Sequence, residues 1–372
     1  MEKKLHIERY RDDIYTCIRS RCGFCFSNCP LFLSTGLETY TSRGKSMIMK
    51  AFLEEKVDLS KELAERFGQC TNCGFCTTNC DVDRPDIFNA FKADLIQSGH
   101  IIEKHESICK LVMECDNPYG VGDDGSIPQK FAKKSRHGSK VLLYDGCTAR
   151  YRERRILHAM MDIMDEFSLL ERPVCCGSVL LRTGNLDDAR QQALRLGEIL
   201  NRYETVVTPC AGCYNMFVEQ YPKMEIDIRP EILHSTQYIA RLLETGKLHL
   251  SKIGTDIKAT YHDPCHIGRR IGIFEEPRVI IKAMGFELAE MGRNRKDALC
   301  CGAGGGYKSL SNEKASNIAR IRAEEAMSTG AELLITACPF CVRNLRDGGA
   351  SDLEVVDIVE LVAQARYYPD QV

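Results

Sequence analysis

The stretch Cys300-Cys301-Gly302-Ala303-Gly304-Gly305-Gly306 decides the fold, because its opening tripeptide repeats an earlier one, Cys175-Cys176-Gly177. Each double cysteine is the centre of a set of five cysteines that occurs twice in the same order. The first five-cysteine set is Cys147, Cys175, Cys176, Cys210 and Cys213, and the second five-cysteine set is Cys265, Cys300, Cys301, Cys338 and Cys341. An internal repeat of this length predicts two similar domains, related by a pseudo-two-fold axis, whose sites face each other.

Short apolar runs precede the cysteines that open and close each set. These runs are residues 141–144 and 205–208 in the first half, and 257–261 and 333–336 in the second. Partly β-branched runs of this kind are typical of buried parallel strands. Helical patterns lie between them at Leu186–Tyr203 and Asn312–Thr329. We therefore expect two α/β units with their cysteines on loops at the strand ends, where open α/β sheets place their sites.

The adjacent cysteines indicate an unusual metal group. Successive side chains diverge, so the two members of a pair do not easily bind one small cubane cluster. They indicate an unusual cluster or two neighbouring irons, and the spacing does not choose between these. A structural four-cysteine zinc site in each half is the alternative. A disulfide between adjacent cysteines is strained and is disfavoured.

The N-terminal third carries two further cysteine motifs. The first motif is Cys17, Cys22, Cys25 and Cys29, followed by Pro30, and the second is Cys70, Cys73, Cys76 and Cys80. The second has the C-x2-C-x2-C-x3-C spacing of bacterial ferredoxins, in which the fourth cysteine ligates the other cluster. The expected ligand sets of two cubane [4Fe-4S] clusters are Cys17, Cys22, Cys25 and Cys80 for one, and Cys70, Cys73, Cys76 and Cys29 for the other. Gly23 and Gly74 lie between ligands, where a loop around a cluster often needs positive φ.

These motifs depart from the usual ferredoxin pattern at two positions, and zinc sites are again the alternative to iron–sulfur clusters. Cys17 lies further out than the usual first ligand, and Cys80 is followed by Asp81 where proline is usual. The C-x2-C pairs also suit zinc. The doubled runs favour iron–sulfur.

Helical patterns surround these motifs. Ser46–Phe67 predicts one amphipathic helix, and Pro85–Met113 predicts one or two more. Residues 114–139 are rich in glycine, proline and polar groups and are expected to form a linker. The expected architecture is an α-helical ferredoxin domain at 1–130, followed by two pseudo-symmetric α/β domains at 140–255 and 256–372, each with its Cys-Cys-Gly (CCG) tripeptide.

Composition excludes several classes of protein. The 372 residues carry 50 basic and 52 acidic side chains, and this balance does not suit a nucleic-acid binder. No apolar run is long enough to span a membrane, and the N-terminus lacks a signal core. We therefore expect a cytoplasmic protein in which 20 cysteines stay reduced and serve metal binding or redox chemistry. Cys109 and Cys115, which belong to no motif, are expected to be packing thiols.

The cysteine pattern resembles the heterodisulfide reductase family of methanogens and their relatives. The strings that carry the resemblance are 145–148 (DGCT), 175–184 (CCGSVLLRTG), 262–266 (HDPCH) and 300–306 (CCGAGGG). The chain is most similar to the D type within this family, which resembles a fusion of a cubane-binding protein with a CCG protein. The wider CCG family also includes components of glycolate oxidase, glycerol-3-phosphate dehydrogenase and acyl-CoA reductases.

The resemblance implies an anaerobic, oxygen-sensitive oxidoreductase of methanogenesis. Each five-cysteine set is implied to hold one non-cubane [4Fe-4S] cluster, and the substrate is implied to be the CoM-S-S-CoB heterodisulfide or a related disulfide bound between them. Electrons are implied to come through the cubanes from a partner, either a membrane b-type cytochrome or a soluble flavoprotein subunit. The partner would hold the chain at the membrane if it is the cytochrome. The alternatives are a non-catalytic electron-transfer subunit, which links a flavoprotein dehydrogenase to a membrane cytochrome, a quinone or an acyl-CoA reductase, and a structural zinc module.

Reduction of a disulfide to two thiols needs protons, and the implied substrate is anionic. His266, next to Cys265, is the first candidate proton donor, and His262 is the second. Cationic side chains near the cysteines are candidates for binding the anionic groups. They are Arg182, Arg269 and Lys308, with Arg150, Arg270 and Arg343 as further candidates. The glycine run 304–306 is expected to allow close backbone approach to a cluster.

Overall fold

The N-terminal third of the computed structural model is helical. The model describes residues 5–122, 128–136, 138–349 and 353–367. The helices of this part are α1 (Arg11–Ser20), α2 (Pro30–Thr35), α3 (Ser42–Leu53), α4 (Lys61–Gly68), α5 (Arg84–Gln97) and α6 (Glu103–Cys115). Short 3-10 turns occur in the chain at His6–Tyr10, Phe24–Phe26, Glu38–Tyr40, Phe75–Thr77, Gln129–Phe131 and Arg295–Asp297. Ile14, Met49, Phe67 and Phe91 form part of one buried apolar cluster between the helices.

The prediction of one helix over Ser46–Phe67 is wrong. The segment contains most of α3 and α4, because the chain turns between them. Glu55 takes φ +57, which a right-handed helix does not allow, and the Ser60 hydroxyl accepts a hydrogen bond from Leu63 N to begin α4. The expectation of one or two helices over Pro85–Met113 is confirmed as two, α5 and α6.

The predicted linker overlaps the end of α6, which runs to Cys115. Cys109 is buried in this helix as expected, whereas Cys115 is exposed and does not pack. Residues 123–127 and 137 of the predicted linker lie outside the described residues.

The first α/β unit is built on three parallel strands in the order β1-β2-β3. The strands are β1 (Val141–Leu143), β2 (Thr205–Thr208) and β3 (Glu231–His234). The helices around them are α7 (Gly146–Tyr151), α8 (Arg154–Ile163), α9 (Ser178–Thr183), α10 (Leu186–Leu200), α11 (Ala211–Asn215), α12 (Tyr221–Lys223) and α13 (Ser235–Glu244). A π-helical turn, Met216–Gln220, joins α11 to α12.

The second α/β unit has four parallel strands in the order β6-β5-β7-β8. Its elements, after the short strand β4 (His249–Leu250), are β5 (Lys258–His262), α14 (Gly268–Ile271), α15 (Glu275–Ala283), β6 (Glu287–Leu288), α16 (Tyr307–Leu310), α17 (Asn312–Met327), β7 (Leu333–Thr336), α18 (Pro339–Asp347), β8 (Glu354–Asp357), α19 (Ile358–Ala365) and β9 (Arg366–Tyr367). The predicted parallel strands are confirmed in both units, and β5-β7-β8 repeats the order of β1-β2-β3.

The two α/β units share one apolar core. Residues from both units, including Leu143, Val207, Tyr261 and Ile335, belong to the same buried cluster. The strand β4 pairs antiparallel with β9 at the far end of the described chain. The pseudo-two-fold axis stays a prediction. Within the described ranges, no helix combines the length and apolar character needed to cross a membrane.

Candidate functional site

The first five-cysteine set gathers at the carboxyl ends of β1 and β2. Cys147 lies in α7, just after β1, while Cys210 caps α11 after β2 and Cys213 lies within that helix. Cys175 lies beside Cys147, and Cys176 lies beside Cys213. Because parallel strands end at one edge of the sheet, cysteines distant in sequence meet there.

The second five-cysteine set gathers in the same way beyond β5 and β7. Cys265 follows β5, Cys338 caps α18 after β7, and Cys341 lies in the first turn of that helix. The Sγ atoms of Cys301 and Cys341 are 3.4 Å apart, and Cys300 lies beside Cys265. The structure therefore brings each predicted set of five together.

A cavity of about 400 Å³ lies between the two sets, and all ten of their cysteines line it. Cys210 and Cys338, one from each set, lie beside each other, and the neighbouring Cys210 raises the pKa of Cys338. The two sets therefore face one another, as the repeat predicts. The glycine run 304–306 also lines the cavity. Because glycine has no side chain, a bound group can come close to the backbone there.

The first cysteine motif lies near the protein surface. Cys22 is exposed, whereas Cys25 is buried. Arg84 Nη2 lies 3.4 Å from Cys80 Sγ, and the charge of Arg84 also acts on Cys22. Cys80, the last cysteine of the second motif, is therefore beside the first motif.

The second cysteine motif lies deeper. Burial raises the pKa of Cys29 to about 12, and the nearby Cys73 and Cys70 add to the effect despite the opposing charge of Lys45. Cys29, the last cysteine of the first motif, is therefore beside the second motif. The crossed ligand sets stay a prediction, with which both placements agree. The predicted positive φ is confirmed at Gly23 (+66) and Gly74 (+74).

The second motif also touches the cavity wall. Cys73 and Cys300 belong to one small buried cluster, so this motif contacts the second five-cysteine set directly. The backbone of Cys70 and Thr71 lies against Gly304 and Gly305, and a Cβ on Gly304 would come within 2.6 Å of Thr71 O. The glycine run therefore packs against the second motif and also lines the cavity.

The chemistry of the donors fits iron–sulfur clusters. No cysteine of the described chain forms a disulfide. Burial raises the pKa of Cys76 well above its ordinary value, with further thiols close by, so a bound cation is needed to hold such groups as thiolates. A structural zinc ion prefers four thiolates in a closed tetrahedron. Five cysteines around an open cavity suit a larger cluster better.

His266 lies in the cavity wall and is half-buried. Its Nε2 is 3.3 Å from Asn72 O, an acceptor, so Nε2 carries the proton of the neutral ring and Nδ1 is left as an acceptor. Burial lowers the pKa of His266 well below its ordinary value, and the charges of Arg182 and Arg270 act in the same direction. The interpretation of His266 as a proton donor depends on a histidine pKa near neutral pH. In this environment the pKa of His266 is lower than that.

The predicted cations fall into two groups. Arg182, Lys308 and Arg343 line the cavity. Arg182 Nη2 donates to Asn215 Oδ1 at 2.7 Å, and Lys308 Nζ forms a 2.7 Å ion pair with Asp347. For Arg343, the described chain offers no ion pair.

The other predicted cations do not line the cavity. Arg269 Nη1 donates to Cys73 O at 2.9 Å, and its Nε donates to Lys296 O at 2.8 Å. Arg270 forms ion pairs with Asp83 and Glu219, and Arg150 forms one with Asp145. Arg269 and Arg270 instead fasten the second α/β unit to the N-terminal part, because contacts to Cys73 and Asp83 cross that boundary.

Sequence reasoning missed two buried lysines beside the second motif. Lys45 Nζ donates to Tyr40 O at 2.6 Å, the same oxygen that lies 3.9 Å from Cys29 Sγ. Lys92 Nζ donates to Arg182 O at 2.7 Å, and burial lowers the pKa of Lys92 to about 8. The only signal for Lys92 in the sequence is its place in an otherwise largely apolar helix.

Comparison with known proteins agrees with this arrangement. The family model "Cysteine-rich domain" matches residues 141–218 and 259–346, and "4Fe-4S dicluster domain" matches 13–83. The chain is 32% identical to the D subunit of dihydromethanophenazine:CoB–CoM heterodisulfide reductase from Methanosarcina acetivorans, over 93% of each chain. It is 29% identical to the B subunit of fumarate reductase (CoM/CoB) from Methanothermobacter marburgensis, over 98% of this chain and 75% of the relative.

A third relative shows the breadth of the family. The chain is 26% identical to EtfAB:quinone oxidoreductase of Syntrophomonas wolfei, over 95% of this chain and 58% of that protein. Of these three relatives, the heterodisulfide reductase protein has the highest identity and is covered over the largest share of its length. Both matched family domains contain the cysteine sets described above. The chain therefore belongs to the family of the heterodisulfide reductase D subunit, whose members are iron–sulfur oxidoreductases.

Proposed function

We propose that this chain reduces a small-molecule disulfide, the CoM-S-S-CoB heterodisulfide or a related one, in the cavity between the five-cysteine sets. The observation that carries the proposal is that all ten cysteines line one cavity and that Cys210 and Cys338 meet across it. The reaction takes up two electrons and two protons, breaks one S–S bond and releases two thiols. Two facing sites match two product thiolates.

The proposed cofactors are two non-cubane [4Fe-4S] clusters, one in each five-cysteine set, and two cubane clusters in the crossed sets of the N-terminal motifs. When bound, these clusters supply one-electron carriers and iron sites for sulfur. The contact between Cys73 and Cys300 supports a short path for electrons from the second motif to the second five-cysteine set.

Arg343 is the proposed binding residue for an anionic group of the substrate. It lines the cavity, whereas the neighbouring Lys308 already neutralises Asp347. Arg182 also lines the cavity, but it is only 5% exposed and donates to Asn215, so it is proposed to orient the wall. A free guanidinium suits a carboxylate, sulfonate or phosphate because its planar donors bind two oxygens at once.

His266 is proposed as a proton donor because it lines the cavity. In the neutral ring Nε2–H is held toward Asn72 O, and Nδ1 lies beside Gly212. His262 does not line the cavity and is not proposed as a donor.

The direct test is disulfide-dependent oxidation of reduced viologen by the chain purified without oxygen and shown to contain iron. We expect rapid oxidation on addition of the CoM–CoB heterodisulfide. Arg343→Gln is expected to raise KM with a smaller change in kcat, whereas Arg229→Gln, an exposed arginine outside the cavity, is expected to change neither. No turnover by the iron-loaded, reducible chain contradicts the proposal.

A relay role is the second candidate, and one observation favours it. Cys22 is exposed, so the first motif lies where another protein can exchange electrons with it. A relative is an EtfAB:quinone oxidoreductase. A pure relay would equilibrate with a partner yet leave the heterodisulfide unreduced.

An electron-donating partner is proposed on either reading. It is a membrane b-type cytochrome, which would place this chain at the cytoplasmic face of a membrane, or a soluble flavoprotein subunit. The names of two relatives, each a subunit, support a complex of several chains. Co-purification from the source cells, followed by haem and flavin analysis, distinguishes the two partners.

A further inference from the structure

His262 has one nitrogen that the fold leaves unused. It ends β5 and is 1% exposed. Its Nδ1 accepts a 3.1 Å hydrogen bond from Arg322 Nε, so the ring proton resides on Nε2. Within the described part of the chain, Nε2 is buried and has no hydrogen-bond partner. A buried donor left without a partner is destabilising, so an acceptor is expected nearby.

The nearest acceptors of the right kind are two sulfurs of the second five-cysteine set. A ring nitrogen of His262 and the Sγ atoms of Cys301 and Cys341 all lie within 4.8 Å of one another. Since Nδ1 is engaged by Arg322, Nε2 is the nitrogen available to them.

The first five-cysteine set lacks such a donor at the matching position. Tyr144 stands three positions before Cys147, as His262 stands three before Cys265. The Tyr144 hydroxyl donates at 2.7 Å to Val174 O, so its proton is directed to the backbone rather than to sulfur. The two halves therefore differ at this point, although their cysteines correspond.

We propose that His262 Nε2–H donates a hydrogen bond to a cysteinate sulfur, Cys301 or Cys341, and so makes the cluster of the second set easier to reduce than that of the first. The inference rests on the proposed function, because it requires both non-cubane clusters. Hydrogen bonds to ligand sulfurs withdraw charge from the cluster and raise its reduction potential. Arg322, fully buried behind the ring, holds the imidazole in the required tautomer. His262 is thus a positioning residue: it affects electron transfer through the reduction potential of the cluster in the second set.

The test compares three variants of the full chain, each loaded with iron and checked for its iron content. His262→Phe removes the donor, His262→Gln keeps an N–H, and Tyr144→Phe is the matched control in the first half. EPR-monitored redox titration gives the cluster potentials. Electron–nuclear double resonance after exchange into D₂O detects a proton coupled to a paramagnetic cluster.

We expect His262→Phe to lower one non-cubane potential and to lose one exchangeable proton coupling. His262→Gln should restore part of both, and Tyr144→Phe should change neither. An unchanged potential and coupling in iron-loaded His262→Phe would overturn the inference, as would a strongly coupled nitrogen in the wild type, which marks a direct iron ligand. If His262→Phe does not assemble its clusters, the wild type alone provides the test. Absence of an exchangeable proton coupled to a non-cubane cluster of the wild type then contradicts the inference. Absence of non-cubane signals in the iron-loaded wild type contradicts the proposed function instead.

Discussion

A single glycine, Gly305, holds the cavity wall against the second cysteine motif. It takes φ +67, and a Cβ there would collide with the backbone at Cys70 and Thr71. Gly305→Ala is expected to destabilise the chain by more than about 2 kcal/mol, because a backbone collision adds to the strain of a left-handed alanine. The measurement is urea unfolding of the iron-loaded protein.

A substitution at Gly272 separates the two contributions to this loss of stability, the backbone collision and the strain of a left-handed alanine. It takes φ +92, and no heavy atom lies within 4 Å of the position of its Cβ. Gly272→Ala is therefore expected to cost only the conformational term, about 1 kcal/mol. Equal losses in the two variants would show that the contact between Gly305 and the second motif carries no stability.

At the scale of elements, a charged cluster joins the start of α5, the π-helical turn and α14. Arg270 forms ion pairs with Asp83 and Glu219, and Lys223 forms ion pairs with the same two carboxylates. The Arg270 side chain is only 8% exposed. Arg270→Gln is expected to destabilise the chain by about 2–3 kcal/mol, because carboxylates then lose their partly buried partner. Arg241→Gln, which breaks an exposed pair with Glu231, should cost less than about 1 kcal/mol.

The same cluster predicts a pH dependence of stability. Burial acts to raise the pKa of Asp83, but the hydrogen bonds and charges of Arg270 and Lys223 outweigh it and hold the pKa at about 2. A carboxyl whose pKa is lowered by folding stabilises the protein above its unfolded pKa of about 4 and loses that contribution as pH falls toward about 2. The difference in unfolding free energy between wild type and Asp83→Asn should therefore shrink over that interval. A difference that grows on acidification contradicts the assignment.

At the scale of the whole molecule, the parts differ in how far they depend on iron. The α/β units share a large apolar core, whereas the N-terminal part has a smaller one wrapped around its cysteine loops. Metal-binding free energy is also folding free energy where a site does not form in its absence. Iron removal by anaerobic chelation is therefore expected to lower Tm and to expose the loops at 17–29 and 70–80 to protease first. Earlier cleavage within β5 or β7 would contradict this order.

The elements and the cysteine sets could be predicted from the sequence, because both depend on local periodicity and exact spacing. The strands before Cys210 and Cys338 begin and end where their apolar runs do. The break between α3 and α4 was missed because Glu55 and Ser60 look ordinary in a helical pattern. Which cations line the cavity could not be predicted for a different reason: the fold brings a carbonyl to Arg269 and carboxylates to Arg270, whereas Arg343 lies at the cavity. Such partners are far away in sequence, and no periodicity records them.

The pairing of β4 with β9 bears on how the chain is made. His249 lies opposite Tyr367, so a strand from the middle of the chain finds its partner among the last described residues. During translation, the first α/β unit is complete in sequence long before β9 leaves the ribosome. The strand β4, which belongs to a separate two-stranded sheet, must wait for β9 before it is paired. A gene shortened to its first 255 residues would therefore encode a product in which β4 is present but unpaired.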